Sequence, residues 1–243
     1  MENKPIVPDA TSQLGKKEQV EKMFDNIAPR YDLLNRVLSL GIDRWWRYVA
    51  INRLKAIHPK TILDVATGTA DVAIATMRLK PEKVVGIDIS EQMLALGKEK
   101  IKQRNLEHII SLFQADAENL PFEDNSFDAI TVAFGVRNFE NLEKGLAELY
   151  RVLKPSGKLV VLEFSKPKVF PIKQLFGIYF KYVLPFIGKL VSKDNQAYTY
   201  LPESVQAFPE GNVFVQILQQ TGFKQTLCTP LTLGISSIYT GIK

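Results

Sequence analysis

Residues 61–75 read TILDVATGTADVAIA. A β-branched apolar run reaches Val65, small residues with one glycine follow, and an apolar pattern of helical spacing begins after Asp71. This is the order of a buried strand, a tight turn and a helix. The rhythm recurs downstream. Short apolar runs stand at 83–88, 109–114, 127–134 and 158–164, with helical stretches at 71–80, 90–104 and 141–152. "KVVGIDI", "FDAITVAF" and "KLVVLEF" are near-continuous apolar runs, as strands covered on both faces must be. "LKPSGK" at 153–158 predicts a helix stop, a turn and a strand start. A helix near 210–220 and strands at 223–229 and 235–242 close the chain. The expectation is an α/β domain with a mostly parallel sheet and helices on both faces.

Three segments fall outside that rhythm. Residues 1–15 are polar, with Pro5, Pro8 and Gly15, and read as a mobile tail. From 16 to 56 the pattern is helical, and "IAPRYD" and "LGID" are expected to break it into two or three helices. A long insertion spans 166–209. Both helical segments are expected to cover the carboxyl edge of the sheet, so that 16–243 forms one domain.

Composition narrows the classes. A chain of 243 residues suits one large domain, and 46% hydrophobic with 23% charged residues is ordinary for a globular enzyme. No apolar run is long enough to span a membrane, and no secretory signal is visible. The single Cys228 excludes an internal disulfide and fits a reducing, cytoplasmic setting. His58 and His108 lie far apart with no cysteine beside them, so no metal site is expected. The net charge of +5 suggests an anionic partner.

In a doubly wound sheet, ligands bind at the carboxyl ends of the strands. A dinucleotide turn wants glycines at the positions occupied here by Ala66, Gly68 and Asp71. Only the middle one is present, and Asp71 with Asp64 would repel a pyrophosphate. Two acids and one glycine prefer a ligand with positive charge and no phosphate, and S-adenosylmethionine is such a ligand. The second strand ends in Asp88, 24 residues after Asp64, where an acid can accept both ribose hydroxyls. Asp116 and Ala117 end the third strand where an adenine would lie. "AFGVRN" ends the fourth.

At these motifs the chain resembles class I S-adenosylmethionine-dependent methyltransferases. Within them it is similar to the family that C-methylates quinone precursors, the demethylmenaquinone and 2-methoxy-6-polyprenylbenzoquinol methyltransferases. The matching stretches are "MFDNIAPRYDLLN" (23–35), "LDVATGTADVA" (63–73), "GIDIS" (86–90), "ADAENLPF" (115–122), "FGVRNF" (134–139), "RVLKPSGKLVVLEFSKP" (151–167) and "YTYLPESVQAFP" (198–209). They span nearly all of the chain after residue 16, and the last three are more specific than the cofactor loop. The resemblance implies a Rossmann-like seven-stranded sheet of order 3-2-1-4-5-7-6, the last strand antiparallel. It implies cofactor contacts from Asp64, Gly68, Thr69, Asp71, Asp88, Ile89, Asp116, Ala117 and the position of Ala133. Two departures stand out. The family's A-G-G-T-G-D loop is here Ala66-Thr67-Gly68-Thr69-Ala70-Asp71, so the turn is expected to survive with tighter dihedral limits. The family's strand-four serine is Ala133, so any contact from that hydroxyl is lost or made by another group.

Arg137 and Asn138 are the candidate catalytic pair. Arg137 stays protonated, so it suits a developing phenolate and not the role of base. Water or a carboxylate such as Asp32 would take the proton. Tyr31, Asp32 and Tyr198 are candidate substrate or lid residues. Of Trp45 and Trp46, one is expected in the core and one at a pocket or interface. Residues 166–193 carry six lysines, six aromatic residues and no acid. As a helix, Leu175, Ile178, Tyr179, Tyr182 and Val183 would share one face, with Phe176 and Phe180 beside the lysines. That composition suits a lid lying on an anionic membrane surface, and Lys181 and Pro185 argue against a span. A solvated lysine face and a nucleic-acid surface are the competing readings.

The expected substrate is a reduced demethylated polyprenyl quinone, the naphthoquinol ahead of the benzoquinol, at the inner face of the plasma membrane. A nucleic-acid methyltransferase is disfavoured by "AFGVRN" in place of an Asn/Asp-Pro-Pro-Tyr motif, and no nucleic acid is expected as a partner. A nicotinamide-dependent oxidoreductase is disfavoured by the broken glycine pattern. A non-catalytic cofactor-binding scaffold stays open, as does a homodimer.

Overall fold

The computed structural model describes residues 6–183 and 196–243, without the side chains of Lys181, Gln196 and Tyr198. Seven strands form one sheet: β1 (Thr61–Val65), β2 (Lys83–Asp88), β3 (Ile110–Gln114), β4 (Phe127–Ala133), β5 (Leu153–Phe164), β6 (Lys224–Leu231) and β7 (Ser236–Ile242). Their order is β3-β2-β1-β4-β5-β7-β6, and β7 runs antiparallel to both of its neighbours. This is the order the sequence resemblance implied.

The central strands alternate between two packed faces. Leu63, Val85, Ile130 and Val161 enter one core, against α5 (Leu142–Val152) and the last helix, α8 (Asn212–Thr221). Ile62, Val84, Ala129 and Val160 enter the other, against α2 (Ile42–Asn52), α3 (Asp71–Ala75) and α4 (Glu91–Gln103). Side chains of period two with both faces covered leave no polar face, which is why these runs read as continuous hydrophobics. β4 and β5 run parallel, and the extra residues at 154–157, between the Phe127–Leu153 and Ala129–Lys158 pairs, are accommodated as an irregularity in their register. The left-handed position there is Ser156, at φ 63°.

A third core belongs to the cover. The first helix, α1 (Lys16–Leu38), buries Val20, Met23, Ile27 and Leu34. They pack with Met93 of α4 and with Ala197 and Tyr200 of α7 (Gln196–Ala207). The break expected at "IAPRYD" does not occur, and α1 runs through Pro29 for 23 residues. An internal proline costs about 3 kcal/mol, but Ile27, Ala28 and Leu34 are buried on either side of it, and that burial outweighs the lost bond. The helix stops at the other expected break, "LGID", where Gly41 takes φ 79°. Residues 6–14 fold back on α1, where the Gln19 amide bonds Leu14 O (2.7 Å) and accepts from Asp9 N (2.9 Å). Among the described residues, no helix is long and apolar enough to cross a membrane.

The insertion departs from its expected facing. Its helix α6 (Ile172–Ile178) continues into a π-helical turn, Tyr179–Val183. Phe176 stacks on Phe180 (4.1 Å), Phe180 meets Phe164 (6.3 Å), and both point inward. The residues left outside are Phe170 (78% exposed), Leu175, Ile178, Tyr182 and Val183. The wider π turn places Phe180 over the sheet edge, which a regular 3.6-residue wheel does not anticipate.

Candidate functional site

The loop between β1 and α3 carries three left-handed residues in alternation: Ala66 (φ 53°), Gly68 (φ 55°) and Ala70 (φ 65°). The turn keeps its shape although two of those positions are alanines. The Gly68 amide donates to Asp88 Oδ2 (2.8 Å) and the Ser90 amide to Asp88 Oδ1 (3.0 Å). Asp88 therefore joins the loop to the start of α4. Its burial pushes the carboxyl above the usual range. Gly135, after β4, approaches this loop so closely that a Cβ there would lie 2.5 Å from Ala66 Cβ.

A cleft opens above the carboxyl ends of β1, β2, β3 and β4. Its walls include Gly68, Asp88, Ile89, Asp116, Ala117 and Ala133. Phe139 and Asn138 close the β4 side, and Lys17 of α1 closes the rim with an ion pair to Asp116 (2.9 Å). Asp88 and Asp116, with Glu118 and Glu140 beside them among small and apolar walls, suit a cationic, phosphate-free ligand with a ribose and a flat ring. Asp88 would hold the ribose, and Asp116 and Ala117 the ring edge.

Other sequence candidates lie beneath or beside this cleft. Asp64 is buried under the loop, accepting hydrogen bonds from Thr67 Oγ1 and Thr131 Oγ1, each 2.6 Å. Burial pushes its carboxyl up to about 6. Thr69 donates to Asp32 Oδ1 (2.6 Å) and accepts from Lys100 Nζ (2.8 Å). Asp71 pairs with Lys100 (2.8 Å) and Arg47 (3.0 Å). Although burial pushes the Asp71 carboxyl up, these two cations hold it below its usual value. Asp32 also pairs with Lys100. Thr69, Asp71 and Asp32 thus form an ion network that ties α1 and α2 to the cofactor loop and α4. The side chain of Tyr198 lies outside the described residues.

A second cavity of about 640 Å³ lies between the cover and the sheet. Its walls are mostly apolar, from α1, Trp46 of α2, Phe134 and Phe164 of the sheet edge, α6 and α7. Trp46 is buried and donates to Thr232 Oγ1 (2.7 Å), whereas Trp45 is 48% exposed, so the pair divides as core-and-cavity and surface. Phe24, Tyr31 and Phe134 line this cavity and the cofactor cleft alike. The two spaces therefore meet at these three rings. Burial raises the Tyr31 phenol above its ordinary value, so it stays neutral.

Arg137 faces the large cavity from the 3₁₀ turn Val136–Asn138. Its guanidinium, 8% exposed, pairs with the fully buried Glu163 (2.8 Å) and also donates to Phe134 O. Phe134 itself stands at φ 58°, a strained position for an aromatic residue. Neither Phe134 nor Tyr200 was singled out from the sequence. Phe134 carries no local signal, because its backbone angle is set by the pairing of its amide with Leu162 O (2.7 Å).

The strand order with its antiparallel seventh strand and the cleft at the carboxyl edge define a class I methyltransferase fold. A solved S-adenosylmethionine-dependent methyltransferase of Thermotoga maritima superposes with a TM-score of 0.60 at 18% identity, covering 91% of this chain and 99% of its own. The narrower assignment rests on sequence: residues 12–243 match the model of the ubiE/COQ5 methyltransferase family, and the chain belongs to that family. It is 56% identical to the demethylmenaquinone methyltransferase of Bacteroides fragilis, over 94% of each chain. It is 50% identical to the ubiquinone/menaquinone biosynthesis C-methyltransferase UbiE of Geotalea daltonii, over 94% of this chain and 97% of that one.

Proposed function

We propose that the protein transfers the methyl group of S-adenosylmethionine to a ring carbon of a reduced, demethylated polyprenyl quinone, with demethylmenaquinol as substrate and menaquinol as product. The observation that carries this reading is the apolar cavity of about 640 Å³ that meets the cofactor cleft at Phe24, Tyr31 and Phe134. A hydrophobic ring with an isoprenoid tail suits such walls, and Arg137 is a buried cation beside them.

In the reaction a quinol hydroxyl loses its proton to water, and the negative charge spreads to the ortho carbon. That carbon's electron pair forms the new C–C bond while the S–CH₃ bond breaks, leaving S-adenosylhomocysteine neutral. Loss of the ring proton restores aromaticity as the oxygen regains one, so one proton is released overall. Arg137 stabilises the phenolate, and Glu163 holds the guanidinium in place. Asp32 is committed to Lys100 and Thr69 and serves no role as base. The cover excludes water and holds the carbon in line with the methyl group.

Membrane attachment belongs to the same reading. Phe170, Leu175, Ile178, Tyr182 and Val183 are exposed on the insertion, and Leu40 (93% exposed) stands on the turn after α1, whose end also lines the cavity. With the six lysines of 166–193, these residues suit an anionic bilayer from which the tail enters. Cosedimentation with vesicles containing anionic lipid, lost in zwitterionic vesicles, is the expected result.

The test is transfer of labelled methyl to reduced short-tail demethylmenaquinone, beside a benzoquinol analogue, with the product analysed for C-methylation. Transfer to the naphthoquinol alone is expected. Transfer to both would extend the activity to the ubiquinone precursor, as the name of the Geotalea relative has it. Transfer to neither, with cofactor binding intact, would refute the reading.

A further inference from the structure

Among the described residues, three buried side-chain polar atoms have no hydrogen-bond partner: Arg137 Nε, Asn138 Oδ1 and Tyr200 Oη. They are not scattered. Arg137 and Asn138 share the turn after β4, and α7, which carries Tyr200, packs against that turn. Arg137 and Tyr200 both line the large cavity, and Asn138 lines the cofactor cleft beside it. Buried polar atoms are nearly always paired, and leaving one unmade costs about 1–3 kcal/mol. A corner with three such atoms is shaped for a polar group that arrives with a ligand.

We infer that Tyr200 is a substrate-binding residue whose hydroxyl, with Arg137 Nε, donates to one oxygen of the quinol ring and holds it as it becomes a phenolate. This rests on the functional reading above. Ala197, Tyr200 and Ser204 fall on one helical face and are buried, so α7 directs the ring of Tyr200 inward at 2% exposure. Burial pushes its phenol up to about 12, and both Arg137 and Glu163 lie within electrostatic reach of it. The hydroxyl therefore keeps its proton at neutral pH and can act as a donor. Arg137 Nε is a donor and cannot accept. Two unpaired donors on the wall of one cavity want an acceptor, and an oxygen gaining negative charge is held more tightly than a neutral one. The contact strengthens as the reaction proceeds, which is the condition for lowering the barrier. It also fixes which ring carbon faces the methyl group.

The test compares Tyr200→Phe with the parent on reduced short-tail demethylmenaquinone. The change removes one oxygen and keeps the packing. The expected result is a fall in kcat of about 10- to 100-fold. S-adenosylmethionine affinity by calorimetry should be unchanged, and the melting temperature unchanged or higher. The rising limb of kcat against pH should move up by about one unit, because the bound phenolate has lost a donor. Unchanged kcat and pH limb in an active parent would overturn the inference alone. So would a loss of cofactor affinity as large as the loss in kcat. If the parent methylates no naphthoquinol, the functional reading falls and takes this contact with it.

Discussion

Asp64 offers a perturbation whose size follows from the structure. It lies next to the end of β1 at 1% exposure, with both oxygens accepting hydrogen bonds from threonine hydroxyls. Burial lifts its carboxyl from the ordinary 3.8 to about 6. The folded state thus binds this proton more tightly than the unfolded chain. The resulting stability is fully present below about pH 4 and is lost as pH rises through about 6. A shift of roughly two units corresponds to about 3 kcal/mol in full, and about half of that falls between pH 5 and 8. Asparagine has the same shape and cannot ionise. Asp64→Asn should therefore gain about 1.5 kcal/mol on the parent between pH 5 and 8. Any cost of rearranging the threonine hydroxyls is common to both ends of the range and cancels. Urea unfolding of both proteins across that range, without S-adenosylmethionine, reads the difference directly. A gap that stays constant with pH would refute the reasoning. A cationic ligand above the loop favours the ionised form, so cofactor affinity should climb more steeply over the same range in the parent than in the variant, which keeps only the contribution of Asp88.

Glu163→Gln should leave Arg137 charged and buried without its counter-ion, a loss of about 3 kcal/mol that lowers the melting midpoint by roughly 6–12 °C. An unchanged midpoint would show the pair to be dispensable for stability. Gly135→Ala places a Cβ 2.5 Å from that of Ala66, so the β4 end and the cofactor loop must separate. S-adenosylmethionine affinity should fall at least about tenfold with a stability loss of about 1–3 kcal/mol. Calorimetry giving parental affinity would refute the close approach.

Much of this molecule was legible from short range. The runs at 61–65, 83–88 and 127–133 are strands because β-branched residues buried on both faces fit nothing else. Asp88, the last residue of β2, and Asp116, two residues beyond β3, lie in the cleft because the carboxyl ends of strands in a parallel sheet reach the ligand edge by topology. Properties that depend on one residue and its strand are written locally. The role of Asp71 is different. Its charge was plain, but Arg47 and Lys100, which take it up, come from α2 and α4, 24 and 29 residues away. The same holds for Asp32.

The amino-acid sequence by itself determined the sheet, its order through family resemblance, and the carboxylates at the strand ends, since these follow from periodicity and local spacing. Only the tertiary structure decided that α1 runs through Pro29, that Phe176 and Phe180 turn inward, and that Tyr200 stands with Arg137. Each of those outcomes depends on which distant surface an element packs against. Burial and strand pairing settle that choice over separations as long as the chain from Arg137 to Tyr200, and no local pattern carries it.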